Sequence, residues 1–195
     1  MTRRGKLSSH GRRGRRASLA AALAAMTLAA GTSLTGCAAV SHAVPGCGEP
    51  LRLAIIAQSL PSASYLPCIR TLPQGWSTSA FAPSQTGTSF LLESDRSPGR
   101  PVVVRLTPVC APGDASPSPP RAPGVITYTR LTSIAPRFAG TLYDVFPGGC
   151  VTYAFNFTLG SQIALMEQFE QAVGLYPRQQ LRLVLKRELG VELSP

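Results

Sequence analysis

Beyond residue 46 the apolar positions recur at two periods, and the change from one to the other divides the chain into a strand-rich part and a helical tail. An apolar stretch at Leu51 to Ala57 opens a series of short strands. Further strands are expected at Trp76 to Phe81, Ser89 to Leu92, Val102 to Leu106 and Val125 to Leu131, where Ile126, Tyr128 and Arg130 alternate with Val125, Thr127 and Thr129. The clearest local signal is a hairpin over Thr141 to Phe157. Pro147-Gly148-Gly149 separates two β-rich runs there, and glycine supplies the positive φ that a tight reversal needs. Its second arm places Val151, Tyr153, Phe155 and Phe157 on one face, which at period two is expected to be the buried face of a sheet and not a binding stripe.

In the tail, Ser161 is the expected N-cap of a helix and Gly174 its stop. Pro177 then opens a second helix that Gly190 ends. Leu181, Val184, Leu185 and Leu189 share one face of it, flanked by Arg178, Arg182 and Lys186. Such a helix can lie on anionic lipid, but the expectation is a docked helix with a solvated charged edge. Between strands and helices, Ala111 to Gly124 holds five prolines, at 112, 117, 119, 120 and 123. It is expected to be a mobile surface loop that neither pairs in a sheet nor forms a helix. The fold class expected is α+β: a small antiparallel sheet with a central hairpin, packed against one or two C-terminal helices and stabilised by disulfides.

Charge changes the picture less than its total suggests. The formal net charge is +10, yet seven of the nineteen basic residues precede residue 37: Arg3, Arg4, Lys6, Arg12, Arg13, Arg15 and Arg16, with no acid among them. The remaining twelve face nine acids, an ordinary surface balance of about +3. Phosphate binding needs clustered cations, so no nucleic-acid partner is expected. Residues 1 to 16 are basic, and Ala17 to Gly36 is uncharged and built mainly from Ala, Leu, Met, Thr and Gly, the order of a signal peptide. As a lasting transmembrane anchor the stretch is weak, because its only strongly apolar leucines are Leu19, Leu23, Leu28 and Leu34.

The stretch ends in Leu34-Thr35-Gly36-Cys37, which resembles the bacterial lipobox. The resemblance implies that the Cys37 thiol carries a diacylglyceryl group and that the leader is cut just before it. Cys37 is then a lipidation site and the protein's partner is the membrane. Two or more acyl chains hold firmly where one gives only reversible attachment. Arg15-Arg16 partly resembles a twin-arginine export signal, but Ser18 stands where that pattern has an apolar residue, so general secretion is expected. The organisation expected is a signal peptide over 1-36, a lipidated Cys and tether over 37-46, and one extracytoplasmic domain over 47-195.

Setting Cys37 aside leaves Cys47, Cys68, Cys110 and Cys150, an even set that in an exported domain reads as two disulfides. Three pairings can be drawn. Cys47 with Cys68 and Cys110 with Cys150 is preferred, because the first ties the tether to the opening of the domain and the second joins a strand end to the hairpin turn. Zinc would need close pairs such as C-x-x-C, which are absent. His10 falls in the leader and His42 in the tether, so no histidine is left for a catalytic triad or a metal. No metal and no cofactor is expected. The carboxylates Glu93, Asp95, Asp114 and Asp144 remain as candidates for glycoside hydrolysis. Ser94 to Arg100 reads as a charged turn, however, and no catalytic residue is assigned.

The segments Pro67-Cys68, Leu72-Pro73-Gln74-Gly75-Trp76 and Phe146 to Tyr153 resemble exported domains of actinobacterial envelope proteins, and the overall layout resembles PsbP-like lipoprotein domains in architecture alone. The function expected is that of a lipid-anchored lipoprotein on the extracytoplasmic face of the cell membrane, a non-enzymatic module that binds or supports an envelope protein or glycan. The alternatives are a carboxylate-dependent envelope glycan hydrolase and a carrier of an apolar ligand.

Overall fold

The computed structural model describes residues 43–134, 136–158 and 162–193. The chain forms α1 (Pro50–Ser59), β1 (Tyr65–Ile69), β2 (Trp76–Ser84), β3 (Gly87–Ser94), β4 (Ser97–Thr107), β5 (Ser116–Ser118), β6 (Ile126–Ser133), β7 (Phe138–Phe146), β8 (Gly149–Phe157), α2 (Gln162–Ala172), β9 (Val173–Pro177) and α3 (Arg178–Leu189). Seven strands make one antiparallel sheet in the order β2-β3-β4-β8-β7-β6-β5, and β1 pairs with β9 in a separate two-stranded sheet. The sheet is thus larger than expected, and the described residues are mainly β, with two of their three helices C-terminal.

The expected hairpin is β7 and β8. Phe146 pairs with Gly149, so the reversal is the two residues Pro147-Gly148, with Gly148 at φ 77°. A side chain at Gly148 would collide with the Ser62 carbonyl, because the turn is docked on that loop. Ser62 Oγ donates to Gly148 O at 2.7 Å, and Ser64 N donates to Pro147 O at 3.1 Å. As the central strand, β8 has a neighbour on each side and buries one whole face: Val151, Tyr153, Phe155 and Phe157 are each at most 2 % exposed. Phe169 of α2 packs on that face, with ring centroids 5.8 Å from Tyr153 and 6.3 Å from Phe155. Each such ring taken out of water contributes roughly 1.5–3 kcal/mol, which makes this row the main apolar anchor between sheet and helix.

Three expectations are corrected by the fold. The stretch Leu51 to Ala57 is helical, within α1, where Leu53, Ile56 and Ala57 face inward at helical spacing and Pro50 occupies the first turn. Val173–Pro177 is a strand through Gly174, because it pairs with β1, and α2 has already ended at Ala172. The proline-rich segment does pair: Ser116–Ser118 joins β6 at the edge of the sheet, where Pro117 needs no outward donor. Gly190 ends α3 as expected, at φ 64°, with its N–H on Lys186 O and the Val191 N–H on Leu185 O. Leu181 and Leu185 are buried on α3, whereas Leu189 at its end is exposed. Ser161 lies outside the described residues.

Candidate functional site

Both preferred cysteine pairs are present: Cys47 with Cys68 and Cys110 with Cys150, at Cα separations of 5.0 and 5.8 Å. The second ties the end of β4 to the start of β8 and begins a strap. After Cys110 the chain has to cross from β4 past β8, β7 and β6 to reach β5 on the far edge. Side-chain parity fixes the side of the crossing. Cys150, Thr152 and Tyr143 lie opposite to Val151 and Tyr153, so the strap crosses on the face that the helices leave open. There Arg130 Nη1 donates to Asp114 at 3.3 Å and Arg130 Nη2 to the Tyr143 hydroxyl at 2.9 Å.

Past β5 the strap reaches the other face and inserts Arg121. Its Nη1 donates to Asp144 Oδ2 at 2.9 Å, its Nη2 to the carbonyls of Glu170 (3.0 Å) and Val173 (2.7 Å), and its guanidinium stands 4.7 Å over the Tyr153 ring. Asp144 is fully buried, and its other oxygen accepts from Thr127 Oγ1 at 2.8 Å. Burial opposes the charge on Arg121, but Tyr153, Asp144 and Glu170 outweigh it and hold the guanidinium above its usual range. Burial pushes the Tyr153 phenol up, so it stays neutral; its hydroxyl meets no partner in hydrogen-bond geometry. Asp144 thus gives one oxygen to Arg121 and the other to Thr127, out of contact with solvent, and so ties the strap to β7.

The four candidate carboxylates are not brought together. Glu93 is in β3 opposite Ser77, Asp95 is in the β3–β4 turn beside Arg96 at 3.7 Å, Asp114 is an exposed strap residue and Asp144 is buried with Arg121. Gln74, Asp95, Arg96 and Gln168 line a shallow polar depression, in which Gln168 Oε1 accepts from Trp76 Nε1 at 2.9 Å and also from Arg96. Among the described residues no three His, Cys, Asp or Glu side chains gather to hold a metal ion. Cys37, His10 and His42 lie outside the described residues.

Two surface features lie at α3. A groove of about 670 Å³ runs between Pro61–Tyr65 and the start of the helix, lined by Ser62, Tyr65, Arg178, Gln179 and Arg182. Arg178 reaches in from it to donate to Ala57 O at 2.6 Å, and burial followed by the neighbouring Arg182 lowers the Arg178 pKa. Further along, Arg182, Leu183 and Lys186 form an exposed face with the Glu192 side chain beside it. Sequence reasoning found the cations of α3 but missed Arg121. Its signal was there to read, since Arg121 and Asp114 are the only charges in a proline-rich stretch of fourteen residues, 111–124. No known protein family, curated protein or solved structure is matched by the chain. No helix among the described residues is long and apolar enough to cross a membrane.

Proposed function

We propose that the protein is a lipoprotein held by acyl chains on Cys37 at the extracytoplasmic face of the cell membrane, where its domain acts as a rigid, non-enzymatic binding or support module. The reading is carried by the coincidence of the Leu34-Thr35-Gly36-Cys37 motif with the pairing of every other cysteine into a disulfide, the usage expected in an oxidising compartment. Rigidity is supported by the strap, which is fixed at Cys110, Asp114 and Arg121 to three different strands of one sheet. A carboxylate-dependent hydrolase draws no support from the positions of Glu93, Asp95, Asp114 and Asp144, of which the one buried carboxylate is committed to Arg121. Such a module meets an envelope protein or glycan through its surface.

Metabolic labelling with palmitate tests the anchor. Label is expected in the wild type and none in Cys37→Ala, with the wild-type domain open to a membrane-impermeant biotin reagent on intact cells. Equal labelling of the two proteins, or a wild type shielded from the reagent until lysis, would remove the proposal.

A further inference from the structure

We propose that the outer face of α3, formed by Arg182, Leu183, Lys186 and Arg187, rests on anionic phospholipid headgroups of the bilayer that holds Cys37. The proposal builds on the lipid-anchored reading and gives the tethered domain an orientation. α3 packs chiefly on α1 and β9, so its outer side is turned away from the large sheet. On that side Leu183 is 64 % exposed, with Arg182 next to it and Lys186 and Arg187 one helical turn on. Arg182 makes no hydrogen bond or ion pair among the described residues. Among the described residues Lys186 and Arg187 pair only with Glu192 and Glu188, and all four side chains are more than half exposed. Ion pairs this wet are worth little, so phosphate oxygens can replace them. A leucine ringed by cations suits the headgroup boundary, where the apolar side chain dips in and the charges stay among phosphates.

The chain between Cys37 and the domain adds an independent constraint. Ala43 is held at the start of α1, where Arg52 Nη2 donates to Ala43 O at 3.0 Å. The six residues from Cys37 to Ala43 can reach at most about 21 Å, while a domain of this size is about 40 Å across. The elements beside Ala43 are therefore kept nearest the bilayer. α1 is the first of them, through Arg52 in its first turn, and α3 is packed on α1. Leu51 and Ile55 on α1, and Leu189 and Val191 at the end of α3, are exposed aliphatic side chains on the same pair of elements and their continuation. The exposed basic groups of residues 178–193 outnumber the acids, with Arg182, Lys186 and Arg187 against Glu188 and Glu192, which favours an anionic over a neutral surface.

The test uses Leu183→Trp in the lipidated protein purified from membranes and placed on vesicles with brominated acyl chains. The vesicles are of phosphatidylcholine alone, or of phosphatidylcholine with an equal part of phosphatidylglycerol. Trp76 is buried and supplies a constant background. The proposal expects quenching at position 183 in the anionic vesicles, little in the neutral ones, and a docked fraction whose ratio to the undocked falls about fivefold for each of Arg182→Gln and Lys186→Gln. Protein that floats with both vesicles but is quenched equally, or not at all, overturns the docking and leaves the anchor standing. Protein that floats with neither overturns the anchor and the docking together. A blue shift of the introduced indole that grows with protein concentration in the absence of lipid assigns the face to a second copy of the chain, and overturns the proposal as well.

Discussion

One segment of the chain makes the same kind of contact twice, once on each face of the sheet, and the two contacts differ almost entirely in burial. On the helix side, Arg121 of the strap meets Asp144 of β7 at 2.9 Å, over the ring of Tyr153, with the side chains 14 % and 0 % exposed. On the open side, Asp114 of the strap meets Arg130 of β6 at 3.3 Å, over the ring of Tyr143, with the side chains 84 % and 40 % exposed. Both join an arginine, an aspartate and a tyrosine, the first across β7 and β8 and the second across β6 and β7. The open pair can exchange its partner for water at little loss. In the buried pair no water can take a lost partner's place, so removing one leaves the charge of the other in a medium that cannot solvate it.

The comparison is broken most severely by Asp144→Ala, which leaves Arg121 buried without its counter-charge. A loss of about 3–5 kcal/mol in unfolding free energy is expected from urea titration. Replacing both members with apolar residues of similar volume, as in Arg121→Met with Asp144→Leu, should recover most of that loss, because the penalty belongs to the orphaned charge and not to the missing attraction. A double variant as unstable as Asp144→Ala would show that the guanidinium's bonds to the Glu170 and Val173 carbonyls are what hold the strap. Next in size is removal of the strap's covalent end. Cys110→Ala with Cys150→Ala opens a loop with a sequence separation of 40 residues, and about 2–4 kcal/mol should be lost. Reduction of the wild type, which also opens Cys47–Cys68, should lower the melting temperature further than this double variant does.

Asp114→Ala is expected to cost no more than about 1 kcal/mol, since the pair it breaks is solvated. A cost near that of Asp144→Ala would erase the distinction between the faces. The smallest effect concerns Glu170, beside the buried pair. Burial raises its pKa despite the nearby Arg121, with Asp144 and Glu167 adding repulsion. A carboxyl group whose folded pKa exceeds its unfolded value favours folding when protonated, and that contribution is lost as pH rises from the ordinary value of 4.5 through the raised pKa. Glu170→Gln should therefore melt at a slightly higher temperature than the wild type at pH 7, with the difference closing below pH 4.5.

Much of the sheet could be read along the chain because its signals are local. β8 alternates over nine residues, the turn carries Pro-Gly at its reversal, and β2, β3, β4 and β6 overlap the stretches expected of them, each running beyond at one or both ends. The cysteine pairs could be read because only three pairings exist and the preferred one joins a strand end to a turn. What was misread depends on distant partners. Val173–Pro177 carries Gly and Pro, which look like helix punctuation until Tyr65–Ile69 supplies a strand to pair with. Pro117 looks like a sheet breaker until the strand is placed at an edge. Asp144 was a candidate acid because nothing in its neighbourhood along the chain reveals Arg121, 23 residues earlier. For α1, the inward spacing of Leu53, Ile56 and Ala57 was already helical, but a short apolar run fits a strand equally well.

The contrast between faces accounts for a rigid body; its place in the cell depends on Cys37. Mass spectrometry of the amino-terminal peptide of the protein purified from membranes is the most direct measurement of that. The account predicts a chain that begins at Cys37, with the mass of a diacylglyceryl group on the thiol and residues 1–36 absent. A chain that still carries the leader, or one that begins at Cys37 with a free thiol, would contradict it.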